Sequence, residues 1–167
     1  DVETGKETIL TNTGMMPNTL VLGYQVYRQL RNHPDLVDRI KYGGMAAAAG
    51  RTATVTMEVM AQLFDVERVM VARAVKATNK EGATGAYAFT HGKHALLCYS
   101  APAPALMTPS AGYVFAWRGV SGPLGTTIGV SNFRMEELKS DRVEAEYAFD
   151  NKVIGSDLGY FFSGAVA

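Results

Sequence analysis

Thr19-Leu-Val-Leu-Gly23 and the segment that follows it, Tyr24-Gln-Val-Tyr-Arg-Gln-Leu-Arg31, decide the fold class. The first is a short, continuous apolar run bounded by Pro17-Asn18 and Gly23, the pattern of a buried strand. In the second, Val26, Tyr27 and Leu30 fall on one helical face while Arg28, Gln29 and Arg31 face away, and the pattern halts at Asn32-His33-Pro34. Pro34 suits the first turn of another short helix, where its missing N–H costs nothing, and Leu36, Val37 and Ile40 line that helix's buried side. A strand joined directly to helices predicts a mixed α/β (α+β) unit.

Further along, Thr56 is placed to cap a helix with Glu58 in its first turn, and Val59, Met60, Leu63 and Phe64 supply its apolar stripe. Arg68 to Val75 carries apolar residues on both faces, as a central strand does. Gly43 to Ala53 has no amphipathic period and reads as an exposed loop; Asn79 to Gly85 reads as a hairpin tip. Tyr87 to Phe89 and Ala95 to Tyr99 are strand candidates. Ser100 to Gly112 contains Pro102, Pro104 and Pro109, which donate no hydrogen bond to a ladder, so an extended connector is expected there.

Tyr113, Phe115 and Trp117 alternate with smaller residues in a further strand that ends at Gly119 to Gly125, their rings expected in the core. Val143, Ala145, Tyr147 and Phe149 point one way while Arg142, Glu144, Glu146 and Asp150 point the other, which predicts a strand with one face buried and one wet. Leu158 to Val166 is expected to close the chain as a last strand pairing near it.

Composition narrows the function classes. The chain has 167 residues, 47% of them hydrophobic, enough for one sizeable core with a small appended element. Sixteen Lys and Arg balance sixteen Asp and Glu without a block of like charge, which argues against tight nucleic-acid binding. No run approaches the ~20 apolar residues of a membrane-spanning helix, and the N-terminus lacks a signal-peptide layout. The single cysteine, Cys98, lies in the apolar run His94-Ala-Leu-Leu-Cys-Tyr99 and reads as a small core hydrophobe suited to a reducing cytoplasm. Asp1 to Leu10 resembles the end of a polar helix already under way, so sequence upstream of Asp1 is expected.

Catalytic patterns are weak. Gly5-Lys6-Glu7-Thr8 holds only a fragment of a phosphate-binding loop, and His33, His91 and His94 lack the spacing of a helical zinc pair. Gly119-Val-Ser-Gly122 lacks the spacing of a nucleophile elbow, so Ser121 reads as a turn residue. Cys98 lacks an electropositive setting. The carboxylates Glu136-Glu137 and Glu144, Glu146 read as a solvated edge or contact surface, with Arg142 beside them. Tyr113, Phe115 and Trp117 have only Arg118 as a basic neighbour, too little for a strand-stacking platform. No catalytic, cofactor-binding or metal residue is assigned, and no cofactor.

Several strings together resemble the tailed-bacteriophage (or prophage) major capsid protein family: Met16 to Tyr42, Leu63-Phe-Asp-Val-Glu-Arg-Val69, Ala101-Pro-Ala-Pro-Ala-Leu-Met-Thr-Pro-Ser-Ala-Gly-Tyr-Val-Phe-Ala-Trp117, and Phe133 onward through Tyr147 to Gly164. The resemblance runs from about Ile9 to Val166 and corresponds to a C-terminal portion. It implies the tailed-phage capsid fold, an axial domain with a central sheet flanked by helices plus part of a peripheral domain. Residues 1–12 would be the end of a spine helix, 13–132 the axial domain and 133–167 returning peripheral strands. It implies a non-enzymatic subunit, self-assembling into hexamers and pentamers of an icosahedral shell around double-stranded DNA. Its partners would be copies of itself, weakly contacted DNA, and scaffolding, portal or decoration proteins, with no membrane, in a virion assembled in the bacterial cytoplasm. Axial loops converge near a capsomer's symmetry axis, which singles out Gly43 to Ala53 and Asn79 to Gly85. Some relatives join subunits through a lysine and an asparagine; no crosslink is assigned to Asn132 or Asn151. The alternatives are a small ligand- or nucleic-acid-binding module on the Tyr113 to Trp117 surface, and a small hydrolase using His91 or His94 with a serine.

Overall fold

The computed structural model describes residues 1–42, 55–117 and 128–166. The chain opens with helix α1 (Val2–Thr13), which ends on Gly14 in the left-handed conformation, φ 71°, its N–H donating to the Leu10 carbonyl. Strand β1 (Thr19–Gly23) follows and runs straight into α2 (Tyr24–Arg31), then α3 (Pro34–Tyr42). Helix α4 (Met57–Leu63) starts at Thr56, whose hydroxyl accepts the Val59 N–H at 3.3 Å. Strand β2 (Arg68–Ala72) returns parallel to β1, with Leu20 opposite Val69.

After β2 the chain makes a small hairpin of β3 (Val75–Ala77) and β4 (Tyr87–Phe89) and re-enters the main sheet as β5 (Ala95–Cys98), antiparallel to β1. Strand β6 (Gly112–Ala116) pairs with β9 (Phe149–Val153), and β7 (Ile128–Met135) with β8 (Ser140–Tyr147). A 3-10 turn, Ser156–Leu158, leads into β10 (Gly159–Phe162), antiparallel to β5. The main sheet therefore has the order β10-β5-β1-β2.

Strand alternation sends Leu20, Leu22, Val69, Ala95 and Leu97 to one face of this sheet, where they meet Ile9, Val26, Ile40 and Met60 from the helices in one buried cluster. Tyr160 and Phe162 of β10 complete it. Helix α1 comes close because Gly5 has no side chain: a Cβ there would lie 3.1 Å from the Phe162 ring and 3.3 Å from Tyr160. Beside it the stem of Lys6 is buried while its ammonium reaches Glu3 at 3.4 Å and Asp65 at 3.8 Å, pinning α1 to the turn after α4. Gly23 ends β1 where a Cβ would collide with the Gly92 carbonyl at 2.2 Å, and its N–H donates to the His94 carbonyl at 2.9 Å.

The strand-to-helix reading of Thr19 to Ile40 and the Thr56 cap match the structure, which is a mixed α and β fold as expected. Three expectations are corrected. The run Arg68 to Val75 is not a central strand: β2 stops at Ala72 and forms an edge of the sheet, so its second apolar face lies open to solvent at Met70. The closing segment does not pair near the Val143 to Phe149 strand; β10 joins β5, because Tyr160 and Phe162 find their burial under α1. The Val143 to Phe149 face is not buried either: Val143, Tyr147 and Phe149 are all exposed, since among the described residues β7 and β8 pair only with each other. The boundary expected at residue 132/133 falls inside β7, and β10 belongs to the same sheet as β1. The loop Gly43 to Ala53 and the turn Gly119 to Gly125 lie outside the described residues.

Truncating Leu97, which is fully buried, should cost about 2–5 kcal/mol as Leu97→Ala, whereas Val143→Ala on the open ribbon should cost within about 0.5 kcal/mol. Urea unfolding of both variants, read by circular dichroism, checks the contrast.

Candidate interaction surface

The residues considered for chemistry are scattered. Gly5 and Lys6 sit in the buried middle of α1, not in a loop. His33 lies at the start of α3, 3.8 Å from Asp35. His91 is exposed; the half-buried His94 accepts the Gly164 N–H on Nδ1 at 3.2 Å and lies 5.3 Å from the Phe161 ring, tying the chain's end to the sheet. Cys98 is buried on β5, and burial pushes its thiol pKa up, away from the thiolate. Ser121 and Arg118 lie outside the described residues. Among the described residues no group of three or more His, Cys, Asp or Glu is arranged to hold a metal ion.

What the chain does present is apolar surface. Strand β8 passes into β9 through Ala148 alone, and Trp117 donates its N–H to the Ala148 carbonyl at 3.0 Å, so the two strand pairs form one long two-stranded ribbon. One of its faces carries Val130, Val143, Ala145, Tyr147, Phe149, Val114 and Val153, all exposed, with the Tyr147 and Phe149 rings 4.5 Å apart. The opposite face carries the charges. Arg142 bonds Glu144 at 2.6 Å and stands over the Phe133 ring at 5.7 Å. At the tip, Arg134 meets Asp141 at 3.1 Å and Glu136 at 3.5 Å. Glu136 and Glu144 are thus ion-paired surface carboxylates, each pair worth little in water.

The rings of Tyr113, Phe115 and Trp117 are not core, as had been expected: Phe115 and Trp117 are exposed and Tyr113 is half-buried, because β6 has only β9 beside it. Opposite them stand Asp150 and Lys152, a mixed pair and not a cationic strip.

Two further apolar features complete the surface. On the main sheet's open face Phe161, Leu96, Val21 and Met70 face one another in register across all of its strands, with Phe161 60% exposed. In the connector, Leu106 and Met107 are 95% and 97% exposed, and Met107 is held at φ 61°. That turn is braced: Thr108 donates to the Ala105 carbonyl at 3.3 Å, the Tyr113 hydroxyl donates to the Thr108 carbonyl at 3.1 Å, and the buried Ser110 hydroxyl donates to Gly112 at 3.2 Å. Sequence reading missed this presented pair; its signal was two large apolar residues between Pro104 and Pro109. The Asn79 to Gly85 tip is also ordered locally, Asn79 accepting the Ala86 N–H at 3.2 Å and donating to the Ala83 carbonyl at 3.2 Å.

No protein-family model matches the chain. The chain is, however, 30% identical over 98% of its length to the major capsid protein of Burkholderia phage BcepMu. The chain is thus similar, along nearly its whole length, to a phage major capsid protein. Its fold agrees: a phage-related protein from Bordetella bronchiseptica RB50, solved by crystallography, superposes with a TM-score of 0.80 at 28% identity over 99% of this chain. The chain spans about half the length of each of these two proteins, 48% of the first and 50% of the second. The exposed apolar ribbon, sheet face and Leu106-Met107 turn are the features that call for a partner, since patches of this kind mark interaction sites.

Because burial raises the Cys98 thiol pKa, the folded chain at pH 8 should react with a thiol reagent at least about tenfold more slowly than the urea-unfolded chain. The stability that the neutral thiol contributes is present below the unfolded pKa and is lost as pH rises through the higher folded one. Equal reaction rates in a spectrophotometric thiol assay would contradict the packing described.

Proposed function

We propose that this chain is part of a structural subunit whose copies assemble into the hexamers and pentamers of an icosahedral phage shell enclosing double-stranded DNA. The observation that carries the reading is the 30% identity to a phage major capsid protein along 98% of the chain. The role is mechanical, not enzymatic: the subunit supplies shape and contact surface. The formal charge is +0 at pH 7, so many copies can pack side by side without mutual repulsion, and packaged DNA would be touched only weakly. The virion is its place of action, after assembly in the host cytoplasm.

In this reading the sheet with its helices is the axial part and the long ribbon belongs to the peripheral part. The exposed tip of the β3–β4 hairpin is a contact near a capsomer's axis. Its backbone is satisfied by its own Asn79, so its outer surface is left free for a neighbour.

Electron microscopy of the protein expressed with its upstream coding sequence tests this. Shells or capsomers are expected, and replacing residues 80–85 by a Gly-Ser turn should reduce their yield while leaving the circular dichroism spectrum unchanged. A stable monomer under all assembly conditions would contradict the reading.

A further inference from the structure

We propose that the apolar face of the ribbon is a self-association surface, on which two copies of this chain pack ribbon against ribbon about a two-fold axis. The inference rests on the self-assembly reading and names the surface.

Area comes first. On that face Val114 is 64% exposed, Val130 70%, Val143 65%, Tyr147 55%, Phe149 50% and Val153 75%. Together they present on the order of 700 Å² of residue surface, counting about 160 Å² for a bare valine and about 220 Å² for a bare ring. That exceeds the ~300–600 Å² of the largest apolar patch on an ordinary monomer. It approaches the ~800 Å² that each partner brings to a standard stable interface. A lone two-stranded ribbon is marginal in water. Stacked on a second one ~10 Å away, it becomes half of a sandwich with a core of its own.

Charge and shape then select the occupant. The ionised groups on this face, Arg134 and Asp141, stand at the tip and bridge each other at 3.1 Å. The alternation carries Arg142, Glu144, Glu146, Asp150 and Lys152 to the other face, where they stay in water. Two like faces can therefore meet without burying an unpaired charge. A nucleic acid or an anionic membrane would find no cationic strip there. Ala145 and Val130 are cross-strand partners, and they form a low saddle between the taller Val143 and Tyr147. A two-fold axis through the saddle and perpendicular to the strands brings Ala145 opposite its own copy and sets each copy's Tyr147 against the other's Val143, the reciprocal contact that an isologous interface requires.

Sedimentation equilibrium of the 167-residue chain tests this directly, with Val143→Lys on the apolar face and Glu144→Lys on the charged face as a matched pair. The unmodified chain should dimerise reversibly. Val143→Lys should weaken the dimer at least about tenfold, while Glu144→Lys leaves it unchanged and both variants keep the urea midpoint of the unmodified chain at dilutions where all are monomeric. Independently, Ala145→Cys should be joined to its copy by a short bis-maleimide, whose span matches the ~10 Å between stacked sheets, and Glu144→Cys should not; Cys98 is buried and does not compete.

A chain that stays monomeric, equal weakening by both lysine variants, or failure of Ala145→Cys to crosslink would each overturn the proposal. So would protection of Ala145→Cys from reagents inside a monomeric longer protein, which would mean that the face is covered from within one subunit. Shells that form equally well with Val143→Lys would overturn the ribbon contact and leave the assembly reading standing. A ribbon dimer with no shells from the longer protein would do the reverse.

Discussion

Everything in this chain hangs on the burial of Leu20 and Leu22 between Leu97 and Ala95 on one side and the helices above them. Strand β1 is flanked on both edges, parallel by β2 and antiparallel by β5, and α2 packs on it while α1 packs on β5 and β10. Among the described residues, it and β5 are the two strands of this sheet paired on both edges. The rest is built outward from it. Gly5 lets α1 approach the rings of Tyr160 and Phe162, Gly23 lets the backbone at Gly92 come close to the end of β1, and β10 returns from far along the sequence to seal the other side of β5.

Away from that core the chain behaves differently. The ribbon, the β3–β4 hairpin and the Leu106-Met107 turn are held by local hydrogen bonds and short ion pairs, and they leave large apolar side chains in water. Hydrophobic burial contributes ~25 cal/mol for each Å² removed from solvent, so the stabilisation those side chains can supply has not been realised within this chain. The buried core lies in the sheet and its helices, and the periphery keeps apolar surface of the kind that marks an interaction site.

The sequence was readable where burial is local. The apolar run Thr19 to Gly23, the amphipathic stripe of α2 and the Thr56 cap each announce themselves within a few residues, because the element that reads the signal is the element that uses it. It was misread where alternation was taken to mean burial by the same chain. Val143, Ala145, Tyr147 and Phe149 do alternate with charges, but the pattern says only that one side prefers an apolar environment, not which molecule supplies it. The pairing of β10 with β5 joins residues more than sixty positions apart, and no periodicity near Gly159 encodes that partner. The Tyr113, Phe115 and Trp117 rings were placed in the core for the same reason that Tyr147 was. The apolar face was thus visible as a pattern, while its exposure became visible only in three dimensions.

Hydrogen exchange tests most directly whether the fold divides into a self-sufficient sheet and a ribbon stabilised by contact. In the dilute, monomeric chain the amides of Thr19–Gly23 and Ala95–Cys98 should exchange slowly, while those of Ile128–Met135 and Ser140–Tyr147 exchange rapidly. In assembled particles of the longer protein the ribbon amides should become as protected as the sheet. Ribbon amides already as slow as those of β1 in the dilute monomer would contradict the account.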